Sequence, residues 1–325
     1  MTIPRPCGCK GCRTCLVCET QYGAESLKLK LELDKNKGYV YCPLCNKAWK
    51  GWDVDLYKQH PHHEGESINY PGVYIQLDFI TEDEEKELMK NIDDMPWDIS
   101  QSGRRKQNFG PKTNFKKKKV VLGNFNGFPE FSKFLQDRFH DVDLLKKYET
   151  IEQCSLEYDP SKGASIDPHI DDCWIWGERI VTVNCLSDSV LTMTPFTGDS
   201  KKYNLPCANE YGPVVDSKGN FLDNDSNETA LAACKPLNDM DVIIRIPMPR
   251  RSLLVIYGEP RYHWEHCVLR EDITSRRVCI AYREFTPPYL QNGPHEAIGT
   301  EVRNVAKRFW DHRSQYQSKE TIETS

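Results

Sequence analysis

Two histidines, one aspartate and two arginines carry the most distinctive chemistry in this 325-residue chain. His169 and Asp171 are two positions apart. In an extended strand residues i and i+2 point to the same side, so both side chains can reach one metal ion. His266, far along the chain, can complete a set of two histidines and one carboxylate. Such a set leaves three positions of the ion open, which is the arrangement of non-heme Fe(II) oxygenases.

An iron of this kind requires an electron-donating co-substrate, and Arg277 and Arg283 could bind such an acid. They lie six positions apart in a strand-like run, so both fall on one face. A guanidinium holds a carboxylate through two parallel hydrogen bonds, which suits a dicarboxylic co-substrate. Each part alone has an ordinary reading, a chance His-x-Asp or a solvated arginine face. His263 competes with His266 for the last ligand position, but an offset of three puts the two on opposite faces of a strand.

The order and context of these residues resemble the AlkB family of Fe(II)/2-oxoglutarate dioxygenases. A ligand motif opens one strand, a histidine opens a later strand, and arginines close the next. The resemblance implies that His169, Asp171 and His266 bind the iron. It also implies that Arg277 clamps 2-oxoglutarate and that Arg283 lies near the metal ligands and the substrate.

The resemblance covers residues from about 70 to 287 and includes the strand before the iron motif. In the run Leu-Glu-Tyr-Asp-Pro, Tyr158 stands where the family has a tyrosine that contacts 2-oxoglutarate. The family often has an asparagine two positions earlier, where this chain has Leu156, so one amide contact is missing or replaced. The cysteine-rich start and the wording of residues 167–174 are most similar to the fourth AlkB-homologue subgroup.

This family resemblance implies a reaction that consumes 2-oxoglutarate and O2, oxidises an N-methyl group and releases formaldehyde. The implied substrates are methylated lysine in protein, N6-methyladenine in DNA, or both, and the sequence does not choose between them. Two other classes stay open. One is a non-catalytic protein that kept the fold, and the other is a zinc-dependent scaffold that binds protein partners or nucleic acid.

Residues 1–65 form a compositionally separate head that holds seven of the fourteen cysteines. Two Cys-x-x-Cys pairs about two dozen residues apart are typical of zinc knuckles, because each pair gives two thiolates to a tetrahedral ion. The predicted structural zinc ligands are Cys15, Cys18, Cys42 and Cys45. Three cysteines, at positions 7, 9 and 12, are left over, so a second metal or a different pairing stays open. The histidines at positions 60, 62 and 63 are interpreted as a hydrated linker, and the head is a possible docking site for protein partners.

Composition places the chain among globular proteins without a membrane span. Hydrophobic residues make up 38% of it, and no apolar stretch approaches the ~18 residues that a span needs. The start has no signal-peptide core, so the protein is predicted to be intracellular, in cytoplasm and nucleus. The net charge of -5, from 43 basic and 48 acidic residues, argues against a globally basic nucleic-acid binder but not against a local basic patch.

The fold class predicted from the strand pattern is mainly β (α+β). We expect a double-stranded β-helix, or jelly roll, with flanking helices, preceded by the small cysteine-rich metal-binding head. The dioxygenase domain is placed at 66–290 and a C-terminal tail at 291–325. Thr81, followed by four acidic residues, predicts the start of a helix. Further helices are predicted over 128–147 and 300–312.

The polar, turn-rich stretch 196–239 is predicted to be a surface insertion between two strands. A second stretch, 99–127, contains no acidic residue and carries four consecutive lysines. Its start resembles the substrate-side loop of AlkB relatives, so Arg104, Arg105 and Phe109 are predicted to form a lid over the substrate. The plainer interpretation of this stretch is a solvated basic hairpin.

Overall fold

Short strands dominate the computed structural model, which describes residues 5, 7–10, 13–24, 33–222, 228–234 and 241–311. In chain order these strands begin with β1 (Gly38–Cys42), β2 (Lys47–Lys50), β3 (Ser67–Asn69), β4 (Val73–Gln76), β5 (Asp98–Ile99), β6 (Arg105–Phe109), β7 (Lys112–Asn114), β8 (Lys119–Val121) and β9 (Phe128–Pro129). They continue with β10 (Glu152–Tyr158), β11 (Ile166–His169), β12 (Ile180–Cys185), β13 (Ser189–Pro195), β14 (Ile243–Met248), β15 (Leu253–Ile256), β16 (Trp264–Val268), β17 (Arg277–Arg283) and β18 (Phe309–Trp310). The α-helices are α1 (Leu16–Tyr22), α2 (Glu82–Asp93), α3 (Lys133–Phe139), α4 (Ala230–Ala233), α5 (Gly258–Tyr262) and α6 (Glu296–Ala306).

Two seven-stranded sheets form the body of the fold. The first, which we call the ligand sheet, has the order β11-β16-β13-β14-β1-β2-β3, and the second, the inner sheet, has the order β4-β15-β12-β17-β10-β6-β5. A hydrophobic cluster between them takes residues from both, including Ile244 and Ile246 of the ligand sheet and Leu254 and Ile256 of the inner sheet. The predicted jelly roll is therefore confirmed.

Helices cover the outer face of the inner sheet, as predicted. Side chains alternate along β15, so Leu253 and Val255 point away from the central cluster and pack in a second cluster with Leu88 of α2 and Leu135 of α3. Helix α2 begins at the predicted position, where Thr81 and Glu84 form a reciprocal capping box. A cap of this kind stabilises a helix by about 1 kcal/mol.

Two predicted helices have different bounds in the structure. The stretch 128–147 holds only α3 and two short 3-10 segments, because its first residues form β9 and pair with β18. The helix predicted over 300–312 is α6, which begins earlier and ends at Ala306. The pairing of β9 with β18, which helical periodicity does not report, accounts for the late start of the first helix and for the end of α6 at Ala306.

Strands from both sides of the predicted boundary at residue 65 belong to the ligand sheet. Strands β1 and β2 lie within the predicted head and β3 lies just after it; all three extend the ligand sheet, and β1 pairs with β14 in parallel. The run Gly-Tyr-Val-Tyr-Cys of β1 is fully buried. It is a central strand by composition, but the surrounding cysteines drew attention to metal binding instead.

Candidate iron centre and co-substrate pocket

The three predicted iron ligands come together at one end of the ligand sheet. His169 and His266 are direct register partners on β11 and β16, and their ring centroids lie 4.2 Å apart. His169 Nε2 lies 3.9 Å from Asp171 Oδ1. The possible ligand atoms of the three residues all lie within 4.8 Å of one another, so one ion can contact all three. Strand β11 ends at His169, so Asp171 comes from the turn that follows and not from the same strand.

Backbone and burial prepare both histidines to bind a cation. His169 Nδ1 lies 2.7 Å from the carbonyl oxygen of Asp167, a hydrogen bond that makes Nδ1 the donor and leaves Nε2 with its lone pair. Burial lowers the pKa of His169 to about 4, although Asp171 acts to raise it. Burial also lowers the pKa of His266 well below its ordinary value. Both rings are therefore neutral near pH 7.

Arg283 holds the carboxylate of Asp171 in place. Its Nε and Nη2 atoms donate to the two carboxylate oxygens at 3.0 and 3.2 Å. Its Nη1 atom donates to Glu152 at 2.7 Å. Burial alone would raise the pKa of Asp171, but the charge and hydrogen bonds of Arg283, together with the two histidines, outweigh burial and hold that pKa well below the ordinary value. The second arginine of the predicted pair therefore positions the carboxylate of a predicted metal ligand.

Arg261 fixes the backbone that follows the ligand motif, and no sequence pattern indicated this role. This fully buried arginine of α5 donates to the carbonyl oxygens of Asp171 at 2.8 Å, Trp176 at 2.8 Å and Gly177 at 3.0 Å. Three carbonyls pointing at one guanidinium define the shape of the whole turn. Contacts with backbone carbonyls leave no mark in residue spacing, so only the structure reveals this role.

The predicted surface insertion also supports this turn. The Tyr203 carbonyl accepts a hydrogen bond from the Cys173 backbone N–H at 2.9 Å, and Tyr211 donates to the Cys173 carbonyl at 3.1 Å. Asn204 donates to the carboxylate of Asp172 at 2.5 Å. The insertion thus packs against the residues next to the iron site.

Arg277, the predicted co-substrate clamp, is buried next to Tyr158 on the inner sheet. The two residues are register partners on β17 and β10, and the guanidinium carbon lies 4.8 Å from the centre of the tyrosine ring. Arg277 Nε donates to Asn184 Oδ1 at 2.6 Å. Its Nη1 atom is buried and has no hydrogen-bond partner within the described part of the chain. A buried donor without a partner is costly, so this nitrogen fits a carboxylate of a bound acid such as 2-oxoglutarate.

Asn184 is a site residue that the sequence analysis missed. It lies on β12, and besides accepting from Arg277 it donates to the carbonyls of Ser187 and Met248, each at 2.8 Å. Leu156, which stands where an asparagine was expected, packs against the hydrophobic core. The amide missing at Leu156 is not replaced there; Asn184 provides an amide contact on the other side of β17.

The four cysteines predicted to share one zinc lie in two separate groups. Cys15 and Cys18, at the start of α1, gather with Cys7 and Cys9, whereas Cys42 and Cys45 gather with two histidines, His60 and His63. The predicted set is therefore not brought together, and two of the histidines interpreted as a linker belong to a group. Cys12 lies outside the described residues. Spacing identified the Cys-x-x-Cys pairs but could not determine which pairs share an ion.

The predicted lid residues point in different directions. Arg104 is buried with its guanidinium carbon 5.8 Å from the Tyr158 ring centre. Arg105 donates to Glu157 at 2.5 and 2.7 Å, and Phe109 packs edge-on against Trp310. Of the three, only Arg104 lies beside Tyr158, because side chains alternate along β6 and its start.

Comparison with known proteins gives the chain its family. No protein-family model matches it. It is 38% identical over 308 residues to the human α-ketoglutarate-dependent dioxygenase alkB homolog 4, covering 94% of this chain and 95% of that protein. The mouse protein of the same name is 37% identical over 310 residues, with 95% and 96% covered. The chain belongs to the AlkB family. Within it, the chain is a 2-oxoglutarate-dependent dioxygenase of the fourth-homologue subgroup, as the sequence predicted.

A third AlkB relative differs in name. A Caenorhabditis elegans protein named DNA N6-methyl adenine demethylase is 31% identical over 313 residues, covering 91% of this chain and 92% of that protein. AlkB-family dioxygenases use Fe(II), 2-oxoglutarate and O2. Among the described helices of this chain, none has the length and apolar character needed to cross a membrane.

Proposed function

We propose that this AlkB-family enzyme demethylates N6-methyladenine in DNA and releases the methyl group as formaldehyde. The general reaction follows from the family, and the substrate is the new element. One relative carries a name with this substrate. The observation on this chain that favours a nucleic acid is a basic hairpin, defined as residues 112–121, that carries an exposed aromatic ring next to the turn after the iron ligands.

In the proposed reaction, three residues bind the metal and one arginine binds the co-substrate. His169, Asp171 and His266 would hold Fe(II), and Arg277 would hold 2-oxoglutarate through its partnerless nitrogen. When bound, the iron and 2-oxoglutarate supply oxidation of a methyl C–H bond by O2, coupled to decarboxylation of the acid to succinate. The hydroxymethyl product then separates into formaldehyde and the unmethylated amine. No protein nucleophile is needed, so the contribution of the chain is geometry and charge.

The basic hairpin supports binding of a nucleic acid through its charge and its ring. Strands β7 and β8 pair antiparallel, and all four lysines at 116–119 are exposed. Phe115, which is 49% exposed, packs edge-on against Trp174 with ring centroids 6.4 Å apart. Trp174 Nε1 is buried without a partner among the described residues. Lysines neutralise phosphates, and an exposed ring provides a surface on which a base can stack.

The experiment that tests the proposal measures formaldehyde and succinate together. Full-length protein would be assayed on single-stranded oligonucleotides that contain N6-methyladenine, on the same oligonucleotides without the methyl group, and on mono-, di- and trimethyl-lysine peptides. We expect methyl-dependent formaldehyde from the oligonucleotide and none from Asp171→Ala. Formaldehyde from the peptides alone would overturn the proposed substrate, and formaldehyde from neither would favour a non-catalytic scaffold.

A matched pair of variants links the substrate to the basic hairpin. Base stacking on an aromatic ring contributes about 1–3 kcal/mol, so Phe115→Ala should raise the half-saturating oligonucleotide concentration by about 5- to 150-fold. The control Phe131→Ala replaces a partly buried ring that packs with the helices on the outer face of the inner sheet. Equal half-saturation in Phe115→Ala and wild type would show that the ring does not contact the substrate.

A further inference from the structure

A second group of metal-binding side chains lies on the ligand sheet, outside the iron site. It consists of Cys42 and Cys45, on the turn between β1 and β2, and His60 and His63, after the 3-10 helix Val54–Gln59. The possible ligand atoms of the four all lie within 4.8 Å of one another. We propose that these residues bind one zinc ion in a Cys2His2 site, separate from a metal at the four cysteines near α1.

Two ring nitrogens of this group are buried without a partner. They are His60 Nδ1 and His63 Nε2, and neither has a hydrogen-bond partner in the described part of the chain. Buried imidazole nitrogens normally form a hydrogen bond, so each such exception needs an explanation. Two exceptions that lie within reach of the same two sulfur atoms are explained together by one ion.

Hydrogen-bond donors point at the sulfur atoms of both cysteines. The backbone N–H groups of Leu44 and Cys45 donate to the Cys42 sulfur. Trp49 Nε1 donates to the Cys45 sulfur at 3.4 Å. Donors that surround a sulfur stabilise its negative charge and orient it, which is the role of the outer ligand shell in metal sites.

The same tryptophan also positions a histidine ligand. The rings of Trp49 and His63 are stacked, with centroids 4.8 Å apart and an angle of 26° between their planes. Trp49 lies on β2, so a single residue orients one ligand by a hydrogen bond and another by stacking. Two thiolates and two imidazoles in a tetrahedral set are typical of structural zinc.

A zinc here would belong to the dioxygenase fold itself. Strand β1 ends at Cys42 and pairs with β14, which is two strands away from the ligand histidine on β16. The 3-10 helix before His60 packs on both β1 and β14. The ion would tie this helix to the hairpin and so fix one edge of the ligand sheet. This inference does not depend on the proposed substrate.

The test is a count of zinc in the full-length protein. All proteins in this test would carry Asp171→Ala, which removes one predicted ligand from the iron site and so reduces adventitious zinc there. Inductively coupled plasma mass spectrometry should then find about two zinc ions per chain. Cys42→Ser/Cys45→Ser should lose one of them, as should Cys15→Ser/Cys18→Ser, and the control His62→Ala should lose none because this exposed neighbour lies outside the group.

Cobalt substitution covers the case in which a serine variant fails to fold. In the Cys15→Ser/Cys18→Ser protein the remaining group should bind one Co(II) and give the absorption of a tetrahedral ion with mixed sulfur and nitrogen ligands. His63→Ala should abolish this signal, and His63→Cys should restore it with stronger sulfur-to-metal absorption. A zinc content in Cys42→Ser/Cys45→Ser equal to that of the parent protein, or a cobalt signal unchanged in His63→Ala, would overturn the proposal.

Discussion

Replacement of Arg277 by lysine tests the proposed co-substrate clamp. In the structure the donors of the guanidinium have different roles: Nε donates to Asn184, and Nη1 is buried with no partner among the described residues. A lysine ammonium is a compact point charge without the planar fork of a guanidinium, so it cannot keep both contacts in their present geometry. One charge-assisted hydrogen bond is therefore lost, which costs about 2–3 kcal/mol in a buried pocket. We expect the half-saturating 2-oxoglutarate concentration to rise by about 30- to 150-fold.

The assay titrates 2-oxoglutarate against succinate formation at saturating iron. Its matched control is Arg276→Lys, one residue earlier on the chain. Arg276 pairs with Asp93 and Glu157 on the outside, and 41% of its side chain is exposed. We expect this control to keep the wild-type titration, since its side chain lies on the other face of the chain.

Two outcomes would refute the reasoning about Arg277. An unchanged half-saturating concentration in Arg277→Lys would show that the acid is held elsewhere. An equal rise of the half-saturating concentration in Arg276→Lys would show that any arginine-to-lysine change in this part of the sheet has the same effect. Iron content, measured separately, should stay at the wild-type level because no predicted metal ligand is altered.

Two further predictions concern Arg283 and Glu178. Arg283→Lys keeps the charge but loses the two-pronged hold on Asp171, so Fe(II) affinity should fall by about 10- to 100-fold in an anaerobic chelator competition; wild-type affinity would contradict a positioning role. Burial raises the pKa of Glu178 to about 7, above an unfolded value near 4.5. The folded chain then keeps a proton that the unfolded chain loses between these values, so the free energy of unfolding should fall by about 3 kcal/mol as pH rises from 4.5 to 7. Glu178→Gln should remove that part of the slope in urea unfolding, and an identical pH dependence in both proteins would refute the assignment.

Residue type and spacing predicted those parts of the fold and site that depend on local pattern. The alternation of strands, the capping box at Thr81 and the His-x-Asp motif all lie within a few neighbouring residues. Asn184 and Arg261 were missed because their roles depend on strand register and on backbone carbonyls. Neither leaves a period or a spacing in the sequence.

The grouping of the cysteines also could not be predicted from local spacing. The Cys-x-x-Cys spacing reports that a turn can offer two thiolates, and it does so for both pairs. Which other residues complete each set depends on where β1 enters the ligand sheet. The histidines at 60 and 63 were predicted to lie in a hydrated linker because Pro61 lies between them. A loop can also place side chains on a metal ion, and the sequence does not distinguish the two cases.

The pairing of β1 with β14 and of β4 with β15 has a consequence for the way the chain folds. In each case an early strand waits for a partner roughly 200 residues later, as Val40 does for Arg245. At about 5–20 residues per second, synthesis on a ribosome would leave these early strand edges unpaired for about 10 seconds or longer. Contacts this distant in sequence also slow the final assembly. The hairpin that carries Cys42 and Cys45 can close locally in that interval, but the opposite edge of β1 stays open to aggregation until β14 has been synthesised.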